Sequence, residues 1–462
     1  MTAPRWGWRA PGAGRASHVD AGTEFQGTTV QLAGLYPFVA GSGAPMLGVP
    51  IGRHLLSGET CCLDPLEWLR AGLVTNPGMF LLGQPGAGKS ALAKRLITGM
   101  AGFGTRVLIL GDTRPDYTRL VQHLGGQVIR VGRGLDRINP LDAGPLGVAV
   151  GRLPPREADR LRLEVRGRRL ALLLALATLV RGTRITNTEE VLLGRSIDLL
   201  DTRLDRQPTV PDVLTVLREG PDQVRFAANH DQQAAGLVAT LTLLCDGSLR
   251  GVLDGPTSTP IDLDAPAVSV DISQTTAAGD QLVAIAMLCT WAYAFGVVDA
   301  ATALAAHGLA PRRQYLGVMD ELWRALRGAP GLVDRADALT RLSRPLGMGT
   351  LMITHSLDDL AALPTAEDRA KAGGFFERAA IKILAALPGR ELDRISAVVR
   401  LSAAERTLVS SWAAPEALVP GRAHPGRGKY LIKTGEGPGL PVGMRLVGDE
   451  PGLYDTDAAV RL

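Results

Sequence analysis

The stretch "FLLGQPGAGKS", residues 80–90, sets Gly83, Gly88, Lys89 and Ser90 in the spacing G-x-x-x-x-G-K-S. An apolar run, Met79 to Leu82, precedes it and "ALAKRLITGM" follows, so a strand, a glycine-rich turn and a helix start come in the order that suits a bound polyphosphate. The glycines let backbone N–H groups close on phosphate oxygens, and the helix start adds partial positive charge. Gly83, Gln84, Pro85, Gly86, Ala87, Gly88, Lys89, Ser90 and Ala91 are therefore the expected set for binding a nucleoside triphosphate. Lys89 is expected to reach the β- and γ-phosphates, and the Ser90 hydroxyl to bind Mg²⁺.

Hydrolysis also needs a carboxylate on the metal and usually a second one to polarise the attacking water. "QYLGVMDELWRAL", 314–326, offers both: Tyr315 to Met319 reads as a strand buried on both faces, and Asp320 and Glu321 fall at its carboxyl end. Ligands sit at that edge in open α/β sheets. Asp320 is assigned to Mg²⁺ and Glu321 to catalysis; the alternative is a pair of acids opening a helix at its favourable end. "GTLMITHS", 349–356, places Thr354, His355 and Ser356 near the same edge. His355 is read either as a contact to the γ-phosphate or its water, or as a structural residue, and Ser356 as a possible N-cap of the helix beginning "LDDL".

These residues need a frame. "RVLILGDTRPDYTRLVQHLGGQVIRV" reads as strand, polar loop, helix and strand, with Asp112 ending the first strand. Apolar strands near 79, 106, 127, 315 and 350, joined by helical patterns, give an α/β fold: a RecA-like P-loop NTPase core with a mostly parallel sheet. Between Pro145 and Asp254 the apolar spacing turns helical, which predicts an inserted all-helical subdomain and explains the sequence distance from Lys89 to Asp320. The expected segments are an arm at 1–47, core at 48–143, helical insertion at 144–254, core at 255–420 and a hairpin-like tail at 421–462.

Composition bounds the rest. At 462 residues and 46% hydrophobic, the chain can bury a large core. Its 55 glycines and 30 prolines follow no repeat, which excludes collagen-like and low-complexity classes. Fifty basic against 46 acidic residues leave +4, a balance that permits nucleic-acid binding without indicating it. The basic run Arg160 to Arg169 reads as a solvated helix face, with nucleic-acid contact as the alternative. Cys61, Cys62, Cys245 and Cys289 have no metal-ligand spacing and fit reduced thiols of a cytosolic protein. The N-terminal stretch lacks the apolar segment of a secretory signal and reads as a flexible arm. Leu282 to Val298 carries no charge, yet it is Ala-rich, short for a span and followed by Asp299, so a buried core helix is expected.

From about residue 48 to its end the chain resembles the ATPases of conjugation and type IV secretion systems, VirB-type and TraC-type, in the FtsK-like branch of P-loop motors. The resemblance is carried by "GDTRPDYTRLVQHLGG", "INPLD" at 138–142 and "DELW" at 320–323, in that order, then by "PTVPDVLTVL" and 337–360. The closing "RLSAAERTLVSSW" and "GRGKYLIKTGEGPGLPVGMRLVGDEPGLYDTD" also fit. It implies a trans-acting arginine at Arg344, with Arg341 as second choice, a homo-oligomeric ring with a hexamer as the expected size, and membrane-embedded channel components as partners, with DNA as a further one. His355 stands where better-known members usually carry Gln, and those members place a large docking domain ahead of the loop where this chain has a short segment. The function implied is a cytoplasmic, Mg²⁺-dependent ATPase motor for conjugative DNA transfer or type IV secretion, with peripheral placement at the inner face of the cell membrane. A translocase acting directly on duplex DNA and a nucleotide-gated adaptor with negligible hydrolysis are the alternatives.

Overall fold

Apolar runs become strands here because neighbours cover them on both faces. In a computed structural model, which describes residues 43–225, 229–247, 249–327, 333, 347–363, 365–413 and 426–454, eleven strands form one sheet. They are β1 (Val49–His54), β2 (Thr60–Leu63), β3 (Gly78–Leu82), β4 (Arg106–Asp112), β5 (Gln127–Arg130), β6 (Ala267–Asp271), β7 (Tyr315–Met319), β8 (Met348–Thr354), β9 (Ile381–Leu384), β10 (Lys429–Thr434) and β11 (Leu440–Gly443). Their order is β2-β1-β11-β10-β9-β3-β8-β7-β4-β6-β5. From β9 to β5 every pairing is parallel, and from β9 outward to β2 every pairing is antiparallel. All residues of β3, β6, β7 and β8 are buried, as a parallel sheet covered on both faces requires. This is the RecA-like, mostly parallel α/β core expected from the sequence.

Strands β1, β2, β6 and β9 were not expected. β1 contains Pro50 and Gly52, residues that argue against a strand; the β1–β2 register shifts between them. Gly52 has a further reason: an added Cβ would lie 2.4 Å from the Gly443 carbonyl oxygen of β11. β6 and β9 are five and four residues long, too short for a periodic signal.

Between β5 and β6 the described residues form five helices, Pro145–Val150, Pro155–Arg181, Asn187–Arg203, Val210–Glu219 and His230–Asp246. Thr186 and Glu189 close a capping box at the start of the third, and Arg181 binds the Glu189 carboxylate through two hydrogen bonds of 2.8 and 2.7 Å. The arginine-rich face of Pro155–Arg181 is laced with ion pairs: Arg162 with Asp159, Arg166 with Asp198, Arg168 with Glu164 and Asp299, and Arg169 with Asp201. The charge-free stretch lies in the helix Asp280–Ala306, the one helix among the described residues long and apolar enough to cross a membrane; 83% of that apolar window is buried inside the protein. Trp291 of this helix donates to the Leu110 carbonyl at 3.0 Å, fastening it to β4. All four cysteines are buried and free.

The C-terminal hairpin β10–β11 extends the same sheet beyond β9. The chain then returns to the helix that follows the phosphate loop. Arg95 of the helix Lys89–Gly102 donates to Glu450 and to the Arg445 carbonyl, and the Tyr454 hydroxyl meets Thr98 Oγ1 at 2.9 Å.

Candidate functional site

The loop between β3 and the helix Lys89–Gly102 emerges at the carboxyl edge of the parallel sheet, flanked by β8 and β9. Its bends require glycine: Gly86 and Gly88 have φ of 80° and 95°. At Gly83 an added Cβ would lie 2.6 Å from Ala385 Cβ, so the loop could not sit against the end of β9. Gln84 N–H donates to the Ala386 carbonyl at 3.0 Å, and Pro85 and Gly86 are exposed at the crest. No side chain caps the helix that begins at Lys89, so its first amides, those of Lys89, Ser90 and Ala91, are left for an anion. Nothing lies within 4 Å of a Cβ built on Gly86, so the crest is open. Uncapped amides, an open crest and a buried lysine fit a polyphosphate.

Lys89 Nζ folds back onto the loop, donating to the carbonyls of Gly83 at 2.6 Å and Gln84 at 3.2 Å and to His355 Nδ1 at 2.9 Å. His355 Nε2 in turn lies 3.2 Å from Glu321 Oε1. An ammonium can only donate, so Nδ1 accepts and Nε2–H donates, which fixes the tautomer. One imidazole thus links the loop lysine to the carboxylate at the end of β7. Trp323 Nε1 donates to the other Glu321 oxygen. Burial raises the Glu321 pKa, but the hydrogen bonds from His355 and Trp323 outweigh it, and the carboxyl ends below its ordinary value.

Among the described residues Glu321 is the only non-glycine residue with positive φ, 54°. That conformation disfavours a side chain by roughly 1–3 kcal/mol and concentrates at functional sites. Here it is offset in part by the Glu321 amide, which donates to Asp320 Oδ1 at 2.9 Å. Asp320 also accepts from the Tyr117 hydroxyl at 2.7 Å; burial nevertheless pushes its pKa up, with the Glu321 charge adding to the rise. Asp112 is a separate case. Burial pushes it up to about 8, and it accepts from Tyr117 N–H at 3.0 Å as an anchor for the loop after β4.

The alternatives at 354–356 resolve differently for each residue. Ser356 caps the helix Leu357–Ala361 in a capping box with Asp359. Thr354 Oγ1 bonds the same Asp359 at 3.3 Å. His355 alone faces Lys89 and Glu321. Arg344 and Arg341 lie outside the described residues. Sequence reasoning missed Tyr117, Trp323 and Tyr430, whose partners lie far away in the chain or on an unanticipated turn.

Burial lowers the Lys89 pKa to about 8, against the opposing pull of Asp320, Glu321 and Asp359. Below that pH the free lysine already carries its charge; above it, polyphosphate binding must take up a proton. From the Lys89 charge, ADP affinity is expected to fall as pH rises beyond about 8, by up to about tenfold per unit. Calorimetric titration at pH 9 in buffers of different ionisation enthalpy should show close to one proton taken up; none at all would remove Lys89 from the phosphate contacts.

No protein-family model matches the chain, and no curated protein matches it. Among solved structures, VirB4 of Thermoanaerobacter pseudethanolicus is similar over 89% of this chain and 100% of that chain, at 21% identity and a TM-score of 0.64. The plasmid coupling protein TrwB, in complex with the non-hydrolysable ATP analogue ADPNP, is similar over 88% of this chain and 96% of that chain, at 12% identity and a TM-score of 0.50. At these identities the likeness establishes the fold.

Proposed function

We propose that the chain is an ATP-hydrolysing motor of conjugative DNA transfer or type IV secretion, acting in the cytoplasm, peripherally at the inner face of the cell membrane, and assembled as a homo-oligomeric ring of six. The observation that carries the hydrolytic reading is the chain of contacts from Lys89 through His355 to Glu321: it supports a cation for the phosphates and a carboxylate for the water, joined by one imidazole at the loop. Lys89 leaves its carbonyl partners to meet the β- and γ-phosphates. Amides of the loop, from Gly83 to Ala91, hold the phosphate oxygens. Glu321 orients the attacking water and accepts its proton, while His355 holds the carboxylate in place. Mg²⁺, held by Ser90 and Asp320, would neutralise charge on the phosphates. Arg344 of a neighbouring subunit would complete the site. Membrane-embedded channel components are the proposed partners, with DNA as a further one.

Phosphate release from ATP, measured with and without Mg²⁺ and with and without DNA, tests this reading; an inactive assembled protein would favour the nucleotide-gated adaptor. The metal assignment has its own test. Replacing even an outer partner of a metal site typically lowers metal affinity by about 10–100-fold, and a direct ligand should matter at least as much. Asp320→Ala should make ADP binding insensitive to Mg²⁺ at concentrations that saturate the parent. Surviving Mg²⁺ dependence would move the metal carboxylate elsewhere, with Asp112 the first to replace.

A further inference from the structure

Two carbonyls of the phosphate loop are held from outside the loop. Gly428 N–H donates to the Ala87 carbonyl at 3.1 Å, and the Tyr430 hydroxyl donates to the Gly88 carbonyl at 2.7 Å, on the oxygen that also takes the first helical bond from Leu92. In a planar trans peptide the C=O and the following N–H point in opposite directions. Holding the Ala87 and Gly88 carbonyls toward β10 therefore turns the amides of Gly88 and Lys89 away from it, at the uncapped helix start. We propose that Tyr430 and Gly428 are positioning residues of the phosphate site, a brace that aims these two amides at the phosphates; this rests on reading the loop as a nucleotide site.

The brace is built to close tolerance. A Cβ on Gly88 would lie 2.9 Å from the Tyr430 hydroxyl oxygen and 3.2 Å from Gly428 N. Gly428 itself has φ of 77°, and its Cβ would lie 2.9 Å from the Met444 carbonyl oxygen, so glycine is required at both ends of the contact. The Met444 amide donates to the Gly428 carbonyl at 2.7 Å, tying the start of β10 to the end of β11. Tyr430 is fully buried and paired with Val442 across the hairpin, so its ring has one place to be. Arg95 with Glu450, and Thr98 with Tyr454, fasten the segment after the hairpin to the same helix two and three turns further on. The hairpin, the loop and the helix thus act as one rigid support for the amides.

Tyr430→Phe removes one oxygen and keeps the ring, so the test is made on the full-length chain with ADP and inorganic pyrophosphate as probes. The loss of one hydrogen bond predicts a Kd raised about 3- to 10-fold for both probes. With kcat at saturating ATP within about twofold of the parent and KM raised, the interaction would be one made equally in ground and transition states. Unchanged ADP affinity overturns the brace; so does weaker ADP binding with pyrophosphate unaffected, which would place Tyr430 at the base or sugar. Lys89→Ala in the same titration separates the two readings. If it loses both probes, the Tyr430 result judges the brace alone; if it binds both as well as the parent, the loop is not the phosphate site and the brace falls with it.

Discussion

Glu321→Gln is expected to retain ATP binding and to lose turnover by about 10²- to 10⁴-fold, the range for removing a positioned general base. The substitution changes one oxygen to an amide, yet it is not silent in this setting. The carboxylate accepts from His355 on one oxygen and from Trp323 on the other, and an amide has a single acceptor for two donors. One of the two contacts must therefore break. A lost neutral hydrogen bond is worth about 0.5–1.5 kcal/mol, at most roughly tenfold, so it cannot account for the expected defect. Single-turnover hydrolysis alongside nucleotide binding measures the two separately. Binding and turnover lost together would assign Glu321 to holding the loop rather than to the chemistry.

Arg344→Ala should leave nucleotide affinity of the isolated chain nearly intact and lower turnover by ~10³-fold or more, the effect of an arginine that completes a site from a neighbouring subunit. The decisive measurement is complementation. Arg344→Ala subunits keep Lys89, and Lys89→Ala subunits, inactive alone for want of a phosphate cation, keep Arg344. Mixed rings contain sites with both, so activity should reappear that neither variant shows by itself. No recovery in oligomers shown to be mixed, or full activity of a dilute monomer, would refute a shared site.

How much of this was legible depended on how local each signal is. The loop, the five apolar strands and the carboxylates after Met319 are contiguous patterns, and each could be read from a dozen residues. The Ser356 cap was legible for the same reason, since serine with an acid three residues on is a helix-start signature. What joins the pieces was not. The bonds from Lys89 to His355 and from Tyr117 to Asp320 span sequence separations of 266 and 203 residues, and nothing in either neighbourhood announces its partner. β9 was missed because "IKIL" is too short for periodicity, and what makes it a strand is its pairing with β3 and β10. The positive φ of Glu321 has no sequence signal at all, because glutamate ordinarily avoids that region.

The strand order also decides when the site can exist. β3 carries the phosphate loop and is made early, at residues 78–82, but the strands on its two sides are β8 at 348–354 and β9 at 381–384, and the Tyr430 contact comes later still. A chain emerging from the ribosome N-terminus first holds this loop without walls until most of its length has been translated. On the proposed reading, a nucleotide could not stabilise the nascent chain by mass action until synthesis is nearly over. Until then both edges of β3, five apolar residues, are open to pairing with another chain. Pairings this distant in sequence also form slowly. The sheet around this loop is among the last parts of the described fold to be finished, although the loop itself lies at residues 83–88.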